Sequence, residues 1–353
     1  MTGGSVPPLD AAPQHGPRPL PLFLSMLRSE TATSHTRRAA ALTGLRRYQQ
    51  APRVPPRDAG HVIARQGRVS LRDHGGSGRP VLVVPSLINP PAVLDLSEDR
   101  SLLRWLAAAG CRVLMVDWGA PHPDERDSDI DAHVTEALVP LIKSLDAPPV
   151  LVGYCLGGTL AIAAATLTPV AGVALLATPW RFGAYADARD GVARLWHAAE
   201  PSCAALGLVP VEVLQAGFWQ LDPARTIDKY ARLATADAPT LAQFTLLEDW
   251  ANAGAPLTLA AGRQLFERFY AADEPGHGSW RIGGRLIDPA ALGCPVLDIA
   301  SATDRIVPVA SRAAAGTQRT VAAGHVGMIV GSGARAAVWE PLADWISALR
   351  APT

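Results

Sequence analysis

Cysteine is scarce in this sequence, which has four among 353 residues: Cys111, Cys155, Cys203 and Cys294. They are widely scattered and form no C-x-x-C pair, which argues against a zinc site and against a small disulfide-stapled fold. The N-terminus lacks the apolar core of a secretory signal and has prolines in its place. We therefore expect a cytoplasmic protein, in which a thiol stays reduced and available for chemistry.

The net charge of the sequence is zero, since 32 Lys and Arg residues balance 32 Asp and Glu residues. This gives no electrostatic case for binding nucleic acid or an anionic membrane. The strongly apolar stretch Leu160 to Leu176 is interrupted by Thr166, Thr168 and Pro169, so a helix, a turn and a buried strand explain it better than a transmembrane segment. No metal-ligand cluster or phosphate loop is recognisable, so we expect no bound metal and no bound cofactor.

Short apolar runs that alternate with helical segments are the main structural signal. Hydrophobic residues make up 48% of the chain, and the mean hydropathy is +0.13, as expected of a well-packed enzyme. The alternation predicts an α/β fold with a doubly wound, mostly parallel sheet. The runs that we interpret as buried strands are Pro80 to Pro85, Arg112 to Asp117, Pro149 to Gly153, Ala171 to Ala177 and Cys294 to Ile299.

The alternation is confined to part of the chain, which suggests three regions. Residues 1–58 are rich in Pro, Arg, Ala and Thr and predict an N-terminal arm, disordered up to Pro21 and followed by a basic helix from Thr36 to Gln50. Residues 59–178 and 293–353 carry the strand and helix pattern of the core. Residues 179–292 show helical stretches with many aromatic residues, which we interpret as a cap inserted over the active site.

The box Gly153-Tyr154-Cys155-Leu156-Gly157-Gly158 has the pattern of a nucleophile elbow. A strand precedes it and a small-residue helix follows, so the turn would expose residue 155 above the sheet edge. Small residues at 153 and 157 suit the tight turn. We predict that Cys155 is a nucleophile, its thiolate favoured by the helix N-terminus; a glycine-rich turn with an incidental buried cysteine is the alternative.

Two further residues stand where the partners of such a nucleophile are expected. Asp304 follows a late strand, and His325 lies in Gly324-His325-Val326-Gly327 after the next one. The order nucleophile, acid, histidine is the order of α/β-hydrolase folds, which is the fold that we predict. Each residue also has an ordinary interpretation, Asp304 as a turn or capping aspartate and His325 as a packed loop histidine.

The oxyanion hole is predicted from backbone positions. The N–H of Leu156, directly after the nucleophile, would be one donor. The second would come from the loop after the strand Val81 to Val84, with Ile88 as the first choice and Leu87 as the next. The side chain of Asn89 is near enough in sequence to assist in binding substrate.

Together, these motifs resemble the polyhydroxyalkanoate synthases, and most closely the short type that works with a second subunit. The resemblance covers about residues 60 to 349 and is weakest in the predicted cap. Its matching segments are Ser86 to Pro91, Leu94 to Leu96, Glu98 to Leu102, Val116 to Pro121, the Cys155 box, Asp249-Trp250, Pro295 to Leu297, Asp304, Val307-Pro308 and Gly324 to Gly327.

The resemblance implies an acyltransferase that polymerises (R)-3-hydroxyacyl-CoA into polyhydroxyalkanoate and releases CoA. Cys155 would hold the growing chain as a thioester, His325 would activate Cys155, and Asp304 would orient His325 and help activate the incoming 3-hydroxyl. Trp250 would line the substrate pocket, with a packed core tryptophan as the alternative. The resemblance also suggests a homodimer, a second synthase subunit and a location at the polymer granule surface.

Two other functions fit the same residues. A cysteine-dependent hydrolase, either an acyl-CoA thioesterase or a polyester depolymerase, differs only in whether water reaches the acyl-enzyme. A catalytically silent partner subunit would keep the fold and the motifs without turnover.

Overall fold

The computed structural model describes residues 16–54, 57–186 and 188–349. The chain divides into two compact units. The first consists of Met1–Pro56 and Phe218–Ala253, and the second consists of Arg57–Gly217 and Gly254–Thr353. In the described ranges, every helix is too short or too polar to cross a bilayer.

The second unit is built around an eight-stranded sheet. Its strands are β1 (His61–Gln66), β2 (Val69–Asp73), β3 (Arg79–Val84), β4 (Cys111–Asp117), β5 (Val150–Tyr154), β6 (Gly172–Leu176), β7 (Val296–Ser301) and β8 (Thr317–Val321). Across the sheet they lie in the order β1-β2-β4-β3-β5-β6-β7-β8. β1 and β2 are antiparallel to their neighbours, whereas β3 to β8 are all parallel. The predicted mostly parallel sheet is therefore confirmed.

Helices cover the sheet because its central strands are apolar on both faces. Every residue of β5, β6 and β7 is buried. The edge strands β1 and β8 are largely exposed. The helical segments of this unit are Leu102–Ala108, Ile130–Ala132 with His133–Leu138 and Val139–Lys143, Leu156–Leu167, Ala188–Leu206, Val211–Gln220 as far as Gly217, Leu259–Arg263 with Gln264–Ala271, Gly327–Val330, and Arg335–Trp339 with Glu340–Ala348.

The parallel strands deliver the predicted site residues to one edge of the sheet. β5 ends at Tyr154, β7 at Ser301 and β8 at Val321. Carboxyl ends of parallel strands lie at the same edge, where open α/β sheets bind their ligands. The segments that follow these three strands contain Cys155, Asp304 and His325, so one edge collects all three.

The first unit is a helical assembly with its own core. Its helices are Leu20–Glu30, His35–Gln50, Pro223–Leu233 and Ala238–Asn252. At Gly44 two helices cross so closely that a Cβ would lie 1.8 Å from the carbonyl oxygen of Tyr230. The buried core consists of Phe23, Met26, Leu27, Ala41, Leu45, Tyr48, Trp219, Ile227, Tyr230 and Leu233.

This division of the chain differs from the three predicted regions. The N-terminal arm is helical from Leu20 onward and packs with residues 218–253, which were assigned to the cap. The disorder predicted for residues 1–15 and the prolines at 55–56 lie outside the described residues. The difference has a physical cause, because the arm buries residues such as Phe23 and Leu45, whose partners are distant in sequence.

Two arginines of the predicted basic helix, Arg37 and Arg47, have partners inside this unit. The Arg37 guanidinium donates to Asp228 at 2.8 Å and to the carbonyl of Ala224 at 3.2 Å. That of Arg47 donates to the carbonyls of Leu233 and Ala236. Arg47 therefore places its charge at the C-terminal end of the helix Pro223–Leu233, and Arg37 is paired with a carboxylate.

Candidate active site

Cys155 occupies a strained turn between β5 and the helix Leu156–Leu167. Its backbone has φ 54° and ψ −131°, a region that a side chain with a Cβ rarely adopts. The turn is held by two backbone hydrogen bonds, from Cys155 N–H to the Leu176 carbonyl and from Gly158 N–H to the Cys155 carbonyl, each 2.9 Å. The geometry is that of a nucleophile elbow.

The glycines of the box allow the helix to start this close to the sheet. A Cβ on Gly153 would lie 2.3 Å from the Cα of Gly158. One on Gly157 would lie 2.0 Å from the carbonyl oxygen of Val84, at the end of β3. Both distances are below any real carbon contact, so the sequence requirement for glycine follows from backbone crowding.

Asp304 and His325 form a buried pair. His325 Nδ1 lies 2.7 Å from Asp304 Oδ2, and both residues are buried. The other carboxylate oxygen of Asp304 accepts hydrogen bonds from the backbone N–H groups of Ile306 at 2.8 Å and Val307 at 3.0 Å. These donors fix the carboxylate, and the carboxylate fixes the orientation of the imidazole.

The third member of the cluster is the Cys155 side chain, whose negative charge acts on His325. Burial lowers the pKa of His325, but the negative charge of Cys155 and the hydrogen bond to Asp304 outweigh this effect and raise the pKa to about 10. Such a histidine carries a proton at neutral pH when its partner is an anion. The three residues predicted from sequence are thus brought together.

The loops that carry the acid and the histidine are fastened to each other. The Ser301 hydroxyl donates to the Ala323 carbonyl and accepts from the Ala323 N–H at 3.2 Å. The Thr303 hydroxyl donates to the same carbonyl at 2.9 Å. On the other side, the Tyr154 ring stacks on His325 at 5.1 Å, and its hydroxyl donates to the His325 carbonyl at 3.3 Å. These contacts limit the movement of His325.

The predicted oxyanion-hole residues flank the elbow. Leu156 is the first residue of its helix, and the N–H groups of a first helical turn have no intrahelical acceptor. The Ile88 N–H, however, donates to Ser86 Oγ at 3.2 Å, so it would have to share or release that bond to serve an oxyanion. Asn89 is half-buried in the same loop.

A family model for the alpha/beta hydrolase family matches residues 74–340. That range includes the six strands β3 to β8 and all three clustered side chains. The chain belongs to the alpha/beta hydrolase family.

Within this family, the chain is similar to polyhydroxyalkanoate polymerase subunits. It is 28% identical over 291 residues to the poly(3-hydroxyalkanoate) polymerase subunit PhaC of Haloferax mediterranei, which covers 76% of this chain and 58% of that protein. Its identity to the Haloarcula marismortui subunit is 27% over 310 residues, covering 81% and 64%. For the Synechocystis sp. subunit the identity is 29% over 292 residues, covering 76% and 77%. The resemblance drawn from the motifs is confirmed, and the chain spans about three fifths of the length of the first two relatives.

Solved structures support the fold alone. The monoacylglycerol lipase of Paleococcus ferrophilus superposes with a TM-score of 0.52 and 16% identity over 80% of this chain and 99% of that one. At that identity the likeness extends to the alpha/beta hydrolase architecture and not to the chemistry.

The sequence-based prediction did not anticipate the positions of three residues, Trp250, Ser301 and Tyr154. Trp250 lies in the helix Ala238–Asn252 of the first unit, whereas the clustered triad belongs to the second; its role in binding substrate stays a prediction. Sequence reasoning missed Ser301 and Tyr154, which hold the histidine loop. Tyr154 lies inside the Cys155 box, but nothing in the motif indicates that its ring would contact His325.

Proposed function

We propose that this alpha/beta hydrolase is a polyhydroxyalkanoate synthase that transfers (R)-3-hydroxyacyl groups from CoA to a growing polyester through Cys155. The observation that supports this most is the connected series Cys155, His325 and Asp304 at the elbow, in a chain similar to polyhydroxyalkanoate polymerases. A thiol nucleophile suits a thioester substrate, because the acyl group moves from one sulfur to another at little cost in free energy.

In the first half-reaction the sulfur of Cys155 attacks the thioester carbonyl. His325 takes the thiol proton and passes it to the departing CoA sulfur as the carbon–sulfur bond breaks. Since Nδ1 of His325 is held by Asp304, the other ring nitrogen is the one left for this exchange. The negative oxygen of the intermediate would accept hydrogen bonds from the N–H of Leu156 and from a second donor in the Ile88 loop.

The second half-reaction decides the product. A hydroxyl of another 3-hydroxyacyl unit attacks the acyl group on Cys155, the carbon–sulfur bond breaks, and an ester bond forms. The hydroxyl proton goes to His325, whose charge Asp304 balances. The cycle needs no cofactor beyond the CoA carried by the substrate. We extend the proposal to a homodimer and to a second synthase subunit, because the resemblance implies both.

Water attacking the same intermediate would make a thioesterase, the reaction type that the family's name suggests. Incubation of the pure protein with 3-hydroxybutyryl-CoA separates the two activities. We expect CoA release together with insoluble polyester; CoA with free 3-hydroxybutyrate would establish hydrolysis instead.

The Cys155→Ala variant is the control for both outcomes. It should fold normally and release no CoA. If wild type and variant are equally inactive with several acyl-CoA substrates, the protein is a silent subunit and the enzymatic proposal is wrong.

A further inference from the structure

Trp118 is a buried residue in the segment Val116 to Pro121, to which the proposed reaction gives no role. It directly follows β4 and is 6% exposed. Its indole N–H donates to the carbonyl of Pro85 at 3.0 Å, and Pro85 directly follows β3. The hydrogen bond therefore joins the ends of two neighbouring parallel strands, at the edge of the sheet where the triad lies.

Pro85 is also the first residue of the loop that holds the predicted second oxyanion donor. All four residues from Pro85 to Ile88 are buried. A Cβ on Gly157 would lie 2.6 Å from the Pro85 carbonyl oxygen, so this carbonyl packs against the first turn of the helix that follows Cys155. At the other end of the loop, a Cβ on Gly254 would lie 2.9 Å from the Ile88 carbonyl oxygen. The loop is thus in close contact with its surroundings at both ends.

The Trp118 hydrogen bond fixes the direction in which this loop leaves the sheet. Among the residues that the structure describes, the indole is the only hydrogen-bond donor to the Pro85 carbonyl. That carbonyl belongs to the same planar peptide group as the N–H of Ser86, and the Ser86 hydroxyl accepts from the Ile88 N–H at 3.2 Å. Rotation of this one peptide group would therefore shift the N–H groups of the loop.

The indole ring packs against His133, whose two ring nitrogens are both bonded. The two rings meet edge to face with centroids 5.9 Å apart. His133 Nδ1 lies 2.6 Å from the Asp129 carbonyl, and Nε2 lies 2.6 Å from the Arg68 guanidinium. A carbonyl only accepts and a guanidinium only donates, so Nδ1 carries the hydrogen and Nε2 accepts. The Arg68 guanidinium also pairs with Glu125 at 2.5 Å. The ring that supports Trp118 is thus fixed through both of its nitrogens.

We propose that Trp118 is a positioning residue for the acylation of Cys155, because its hydrogen bond to the Pro85 carbonyl keeps the second oxyanion donor of the loop in place. The inference rests on the proposed function, in which the thioester carbonyl oxygen becomes negative when the sulfur attacks. A donor stabilises that oxygen only from the correct position, and it acts on the transition state more than on the bound substrate. Loss of the indole bond should therefore slow acylation and leave the reactivity of the thiol itself unchanged.

Two reagents separate these effects on Cys155. With p-nitrophenyl acetate, the sulfur bonds to the carbonyl carbon, an oxyanion forms and nitrophenolate leaves. With iodoacetamide, the carbon–sulfur bond forms as iodide leaves, and no oxyanion is made. Replacing Trp118 by 3-benzothienylalanine, which has sulfur in place of the N–H, should slow the single-turnover release of nitrophenolate, and of CoA from 3-hydroxybutyryl-CoA, by about 10- to 100-fold. The alkylation rate should stay unchanged, and Trp118→Phe should behave in the same way.

Trp339 is the matched control, because it is buried in the same unit and its indole N–H also donates to a backbone carbonyl, that of Ile329, at 3.1 Å. The same replacement at Trp339 should leave the ratio of the acylation rate to the alkylation rate unchanged. Circular dichroism and Tm check that each variant is folded.

Equal slowing of both reactions in the Trp118 variants would assign the indole a purely structural role, and unchanged acylation would show that the loop does not need it; either result overturns the inference. If the wild type releases no CoA from 3-hydroxybutyryl-CoA, the proposed function fails, and the ester decides the inference alone. Nitrophenolate release that slows in the Trp118 variants would then support it, whereas a wild type that releases no nitrophenolate would refute it.

Discussion

The Asp304→Asn variant tests the role of the carboxylate with almost no change of shape. In the structure one oxygen accepts from the Ile306 and Val307 N–H groups, and the other accepts from His325. An asparagine that keeps its oxygen on the two N–H groups must turn its NH₂ group towards His325. Two donors then face each other, and the imidazole changes to the tautomer whose other nitrogen carries the hydrogen. That nitrogen can no longer accept the thiol proton.

The size of the effect follows from the lost interactions. A hydrogen bond to a charged group is worth about 1.5–3 kcal/mol, which corresponds to about 10- to 150-fold in rate. The wrong tautomer in a serine triad costs about 10⁴-fold. We therefore expect acylation of Cys155 to slow by about 100- to 10,000-fold, and the pKa of His325 to fall below its value of about 10.

The assay is rapid-quench measurement of CoA release in a single turnover, with circular dichroism and Tm as checks on folding. Asp117→Asn is the matched control, because Asp117 is also a strand-end carboxylate but pairs with Arg72 at 2.8 Å. It should acylate at nearly the wild-type rate. An Asp304→Asn variant that is folded and acylates within threefold of wild type would show that the carboxylate has no catalytic part.

Three further outcomes are expected. Iodoacetamide should label Cys155 faster than the other three cysteines, because burial raises the pKa of those thiols; equal or slower labelling in peptide mass maps would argue against an activated nucleophile. Gly157→Ala should lower the free energy of unfolding by about 1–3 kcal/mol in urea melts, since its Cβ would overlap the Val84 carbonyl. An unchanged midpoint would refute that close approach. Phe23→Ala should cost about 3–5 kcal/mol, whereas Leu24→Ala on the exposed side of the same helix, 44% exposed, should cost under about 0.5 kcal/mol; similar values for both would contradict the core of the first unit.

Local patterns along the chain were enough to predict the sheet and the elbow. Runs of β-branched and apolar residues form strands wherever both faces are covered, and β5 and β6 fit that rule along their whole length. The Cys155 box specifies its own turn, because the glycines at 153 and 157 permit backbone contacts that any other residue would block. Asp304 and His325 could be placed because parallel strands end at a common edge.

What the sequence could not supply depends on contacts between distant segments. The helices of residues 20–50 were predicted as an arm because their core partners, such as Ile227 and Tyr230, lie almost two hundred positions away. For the same reason the predicted cap included residues 218–253, which the structure places in the first unit. The Ile88 N–H, chosen from its position in the loop, proved to be bonded to Ser86 Oγ.

The sequence by itself therefore determined the sheet, the strained turn at Cys155 and the order of the acid and the histidine, since each depends on neighbours within a few residues. Only the tertiary structure decided how His325 is charged and held, because that depends on a sulfur, a carboxylate and a tyrosine ring brought together from separate strands.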